Sequence, residues 1–194
     1  MSDALAAAAA TTDDAQLRGV WGTRIEVGLV METADERRTA GAVIVDGIAT
    51  LVLEDGEAFT APASAVPLQL ARLVGLSPRP SVGTASAIVE ALDELDGFDR
   101  ASLIAAFPAE ALQGMSLGEP DVVVWMAWVQ WPLDDGVIAG RSVIVADGGA
   151  AGLTLIDVDD LGAVARTVTS TDVWMLLCGL LPYPAELEAG AGAT

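Results

Sequence analysis

Val43-Ile44-Val45-Asp46-Gly47-Ile48-Ala49-Thr50-Leu51-Val52-Leu53-Glu54-Asp55 reads as a β-hairpin, two apolar runs joined at Asp-Gly. Glycine accepts positive φ without steric cost, so Asp46-Gly47 suits the tight turn. The same phrase returns as VIVADGGAAGLTLID, Val143 to Asp157, with a second Asp-Gly at Asp147-Gly148. Working outward, TRIEVGLVM (Thr23 to Met31) precedes the first hairpin as VVWMAWVQW (Val123 to Trp131) precedes the second. Leu51 and Leu53 answer Leu153 and Leu155, Asp55 answers Asp157, and Thr60 with Val66, Leu68 and Leu70 answers Thr167 with Val173, Met175 and Leu177. Both copies end in Gly followed by Pro, at Gly75 to Pro80 and at Gly179 to Pro184, which reads as a helix stop.

Each unit is therefore expected to run strand, loop, strand, Asp-Gly turn, strand, short extended piece and helix, with helix starts at Ser64 and Ser170. Pro67 is tolerated so early in a helix. Between the units, Ile88, Val89, Leu92 and Leu95, then Leu103, Ile104 and Phe107, fall at helical spacing, with Asp93, Glu94, Asp96 and Asp99 away from the stripe. The expected fold class is α+β: an internally duplicated hairpin-and-strand-plus-helix unit, arranged about a pseudo-two-fold in one mostly antiparallel sheet. In this reading residues 1–18 are a flexible tail, and 19–184 form one domain with repeat units 23–80 and 123–184 and a helical connector 81–120. Residues 185–194 make a second flexible tail.

The chain has 194 residues, enough to bury roughly 70% of the surface it exposes when unfolded. Its apolar runs are far shorter than the roughly 20 residues of a membrane-spanning helix, so no membrane insertion is expected. The alanine tract in MSDALAAAAATTDD has acidic residues on both sides and no basic residue ahead of it, the reverse of a signal peptide, and a cytoplasmic location follows. A net charge of -19 repels nucleic acid and anionic membranes. The single Cys178, inside VWMLLCGLL, reads as a small buried hydrophobe.

Catalytic motifs fail one by one. Gly114-Met115-Ser116-Leu117-Gly118 matches the nucleophile elbow in form, but the chain has no histidine to take the serine proton and no strand is expected before it. Asp157-Val158-Asp159-Asp160-Leu161-Gly162 hints at a calcium loop, yet leucine stands at the third ligand position and no glutamate closes the loop. Asp134-Asp135-Gly136 reads as a solvated turn. No catalytic residue, cofactor or metal site is assigned, and the expected function is not enzymatic.

The two first strands differ on one face. Ile25, Val27, Leu29 and Met31 answer Trp125, Ala127, Val129 and Trp131, which is the core face in both. The other face carries Arg24, Glu26, Gly28 and Val30 in the first unit, but Val124, Met126, Trp128 and Gln130 in the second. A strand apolar on both sides must be covered. Either the connector or the N-terminal segment covers it, or Val124, Met126, Trp128 and Gln130 bind a protein partner or a second copy of the chain.

Glu119-Pro120-Asp121-Val122-Val123-Val124, then VIVADGGAAGLTLI from Val143 to Ile156, then Val173-Trp174-Met175-Leu176-Leu177 resemble one half of the EspG family, cytoplasmic chaperones of the actinobacterial type VII secretion system. That resemblance implies two quasi-symmetric halves around a central sheet, no catalysis, and a chaperone that keeps a helical secretion substrate soluble. The alternatives are a small-molecule-binding or enzymatic domain using a cleft between the halves, with Asp134 or Asp157 as anchors, and a structural homodimer.

Overall fold

The computed structural model describes residues 24–79, 86–90, 99–115, 119–133, 137–159 and 162–191. Strands β1 (Ile25–Glu32), β2 (Arg37–Val45), β3 (Ile48–Leu53) and β4 (Ala58–Pro62) pair in chain order, each antiparallel to the last. One 3-10 turn, Ala63–Ala65, leads into α1 (Val66–Leu73). The connector holds β5 (Ser86–Glu90), α2 (Arg100–Ala106) and α3 (Ala109–Met115). A second meander follows, β6 (Val123–Pro132), β7 (Ile138–Asp147), β8 (Leu153–Asp159) and β9 (Gly162–Val168), and then α4 (Ser170–Leu180) and α5 (Pro184–Ala191). Pairing of β1 with β6 joins the meanders in one nine-stranded sheet, ordered β4-β3-β2-β1-β6-β7-β8-β9-β5. The fold is α+β, and the sheet is antiparallel as the alternating patterns require.

Local chemistry explains the turns. Asp46 and Gly47 both take positive φ, 52° and 74°, the geometry of a type I′ hairpin turn whose twist matches the flanking strands. The second Asp-Gly behaves otherwise. Asp147 is the last residue of β7, Gly148 has φ -89°, and the chain closes through a 3-10 turn with positive φ at Gly149 and Gly152. The additional small residues there permit a wider loop, which frees the Asp147 carboxylate for other partners.

The sheet buries both faces in part. On one, Ile25, Val27 and Leu29 lie with Trp125, Ala127, Val129 and Trp131 in the main core, as the alternation predicts. Val66, Leu70 and Ala71 of α1 and Val173, Leu177 and Leu180 of α4 close it from above. Each such Val or Leu stabilises the fold by about 1.5–3 kcal/mol before ordering costs.

Several sequence expectations need correction. Ile88 and Val89 belong to β5, paired with β9, and not to a helix; Leu92, Leu95, Asp93, Glu94 and Asp96 lie outside the described residues. In a run as short as SAIVE, two adjacent β-branched residues fit a strand as well as one face of a helix, and an available sheet edge decides. Ser64 does not cap α1, whose N-cap Ala65 makes no side-chain bond. Gly75 does end α1, at φ 65°, with the Leu76 amide donating to the Ala71 carbonyl at 2.8 Å. Gly179, by contrast, lies inside α4, and Cys178 is exposed. Pro184–Ala191 forms a helix where a loose tail was expected. Residues 1–18 lie outside the described part of the chain.

The cap of α4 is Thr169, one residue before the expected Ser170. Its hydroxyl accepts from the Asp172 amide at 3.1 Å while the Asp172 carboxylate accepts from the Thr169 amide at 2.9 Å, a capping box. The Thr169 hydroxyl, and after it the Thr169 amide, hold the Asp172 carboxyl below its ordinary value of 3.8. Ser102 does the same for Asp99, which caps α2. A carboxylate lowered in the native state stabilises fully above its unfolded pKa and loses that contribution as pH falls through the native value. Acid titration followed by circular dichroism should therefore show helix loss setting in below about pH 3.8. Thr169→Ala should cost ~1 kcal/mol at neutral pH and shrink the acid step; unchanged neutral stability would mean that the box contributes nothing.

Candidate functional site

The strip Val124, Met126, Trp128 and Gln130 lies on the sheet face opposite the main core, as its alternation requires. It is not an open surface. Val124 is fully buried in a second cluster with Leu103 and Phe107 from the α2 region, and Met126 and Trp128 are half-buried against the same cluster. Only Gln130 is exposed. The connector thus covers Val124, and a partner could reach that residue only by lifting α2.

Buried Glu32 holds α2 in place. Its carboxylate accepts from the Arg100 amide at 2.6 Å and pairs with Arg37 at 2.8 Å. Arg100 in turn donates through its guanidinium to the Val122 and Glu119 carbonyls at 3.3 and 2.9 Å. A buried carboxylate with two donors of this kind costs too much to strip bare, so α2 is pinned over the sheet.

One exposed apolar patch lies on the side of the sheet that carries the main core. Val173, Leu177 and Leu180 of α4 face the core, yet its outward side carries Met175 at 63% exposure, Leu176 at 37%, and exposed Cys178. On α1, Leu68 is also exposed, at 43%. Past its polar first turn of Ser170, Thr171 and Asp172, α4 has no polar side chain to turn to water, and a helical stretch that is apolar all round belongs in a core or an interface. The signal was present in VWMLLCGLL, a run with no charged residue, but periodicity alone reads such a run as buried.

The far end of α4 is fixed by Arg141 from β7. Its guanidinium donates to the Gly179 and Leu181 carbonyls at 3.0 Å each, satisfying groups that a helix end leaves without partners. It also pairs with Glu186 of α5 and sits 5.5 Å from the ring centroids of both Trp131 and Tyr183. The outward face of α4 is therefore presented by a helix tied at both ends.

Among the described residues the other motifs acquire no site. Before Ser116 stands α3, a helix where an elbow needs a strand, and Ser116 itself lies outside the described residues, as do Asp134 and Asp135. Asp157 is exposed on β8 and meets Arg166 at 3.4 Å. Among the described residues no group of His, Cys, Asp or Glu is placed to hold a metal ion, and no helix is long and apolar enough to cross a membrane. A cavity of about 10 Å³ lined by Val27, Gly28, Ala42, Leu51, Val66 and Leu70, among others, holds at most one water.

No protein-family model matches the chain, and no curated protein matches it.

Proposed function

We propose that the chain is a duplicated meander-plus-helix unit, related by a pseudo-two-fold, that binds a protein partner without catalysis. The register of β1 against β6 supports the duplication: Val27 pairs with Val129 and Leu29 with Ala127, so exchanging each residue for the one a hundred positions away leaves the pairing unchanged. Gly28 and Trp128 then face each other at the axis. The order of four strands and a helix, met twice, supports it further.

The observation that carries the binding function is the outward face of α4, with Met175 the most exposed large hydrophobic residue on the helix. Methionine and leucine on a rigid helix give contact area that adapts to a second helix laid alongside. A helical client fits this face, in keeping with the EspG resemblance and the type VII secretion substrates that it implies, as does a cytoplasmic chaperone role. The acidic field of the molecule favours a client with a basic rim.

The test is affinity purification from the source organism, comparing the unaltered protein with Met175→Glu and Leu176→Glu. Both positions face solvent, so melting temperatures should stay within a few degrees. Recovery of the partner should fall by about tenfold or more. An identical set of recovered proteins from all three would refute this use of α4.

A further inference from the structure

We infer that the open edge of β4 is a second docking site, which takes an extended segment of a partner as an added antiparallel strand. The molecule holds its own precedent. Both β4 and β9 are the fourth strand of a meander, and each is followed by a helix packed on the same sheet face. The outer edge of β9 is occupied by β5, in five antiparallel pairs from Ser86 with Arg166 to Glu90 with Gly162. The outer edge of β4 has no neighbour among the described residues. This likeness of position is topological and holds without common ancestry.

Which groups are on offer follows from the ladder. The Leu53 amide donates to the Glu57 carbonyl at 2.9 Å and the Ala63 amide to the Gly47 carbonyl at 2.8 Å. The Glu57 amide is taken by the Asp55 carboxylate at 2.9 Å, and backbone direction alternates in an antiparallel strand, so the Glu57 carbonyl and the hydrogen-bonding groups of Phe59 and Ala61 point toward β3. Ala58 and Thr60 then turn both N–H and C=O outward, and Pro62 turns out a carbonyl alone. The side chains of Ala58, Thr60 and Pro62 are exposed, and the strand carries neither a charge nor a bulge to repel a newcomer.

Charge selects the occupant. Exposed Glu54, Asp55 and Glu57 flank one end of β4, and neither Asp55 nor Glu57 takes part in an ion pair among the described residues. A second copy of β4 paired about Thr60 would oppose Ala58 to Pro62, which lacks an amide, and would set two acidic molecules edge to edge. The favoured occupant is an extended partner segment with small and β-branched residues along it and a basic residue at the end nearest Glu57. This edge is a different surface from the outward face of α4, so the fate of either reading leaves the other standing.

A synthetic peptide of the Ser86–Glu90 sequence with Glu90→Lys, which an antiparallel pairing like that of β5 on β9 sets nearest Glu57, tests this on the full chain by two-dimensional NMR. Binding should shift and protect the Ala58 and Thr60 amides, and Met175→Glu should leave it unaltered. The same peptide N-methylated on alternate residues should bind about tenfold more weakly, because each lost backbone bond to an open edge is felt directly. Glu57→Arg should weaken the unmodified peptide without disturbing the fold. Three results would overturn the inference: equal binding of the methylated peptide, shifts confined to other strands, or a concentration-dependent dimer through β4 that the peptide does not disperse.

Discussion

Gly28→Ala should destabilise this protein by about 3 kcal/mol, the upper part of the range for overpacking, and lower its melting temperature by about 6–12 °C. Gly28 lies opposite Trp128 across the β1–β6 pair, and the indole ring occupies the space in which a side chain would begin. A Cβ at position 28 would stand 1.9 Å from Cζ2 of Trp128 and 2.2 Å from Cε2 and Cη2. The backbone of Gly28 is not left-handed, so alanine should otherwise favour the strand by limiting the unfolded chain. The whole cost is therefore steric and borne by one ring. Trp128→Ala should lose packing on its own, but the double variant should be more stable than the sum of the single effects by more than about 1 kcal/mol. Thermal or denaturant melts of the four proteins check this. Additive effects would show that the ring and the glycine do not depend on each other.

That pair also marks the boundary of what was legible in the sequence. The two first strands, their core faces, the tight turn at Asp46-Gly47 and the helix after each meander follow from alternation and turn chemistry, which act between near neighbours. The difference between Gly28 and Trp128 was visible as well. Their meeting was not, because it depends on the register between strands a hundred residues apart. Nor does periodicity choose among the covers of a face: the connector, the N-terminal segment and a partner all stood open for Val124, and only the packing of Leu103 and Phe107 against it selects the connector. Ile88 and Val89 were misread because a five-residue strand on a sheet edge owes its existence to β9 more than to its own pattern. The outward face of α4 was missed for the opposite reason, since a run without charges reads as core whichever side it turns to water.

The second large effect is expected at Arg79. Arg79→Leu should cost about 3–5 kcal/mol, because it leaves the buried carboxylate of Asp147 without its cation. The guanidinium donates to both carboxylate oxygens, Nε to Oδ1 at 3.0 Å and Nη2 to Oδ2 at 2.7 Å. Hydrogen bonding to Asp147 holds Arg79 above its already high pKa, so the guanidinium keeps its charge. With Arg79 gone, the Gly149 amide at 2.8 Å is the carboxylate's remaining donor among the described residues. Replacing both partners by leucine should recover most of the loss, since an apolar pair carries no desolvation cost. The backbone of the same residue reaches further: the Arg79 amide donates to Ser170 Oγ at 3.1 Å, and that hydroxyl donates to the Ser77 carbonyl at 2.7 Å. The segment after α1 is thereby tied both to the end of β7 and to the first turn of α4. Hydrogen exchange in that first turn should accelerate in Arg79→Leu and return toward normal in the double variant. If α4 binds the partner, Arg79→Leu should also weaken binding without touching the exposed face, whereas Met175→Glu should weaken binding and leave exchange unchanged. The two variants thus separate loss of the surface from loss of the support beneath it.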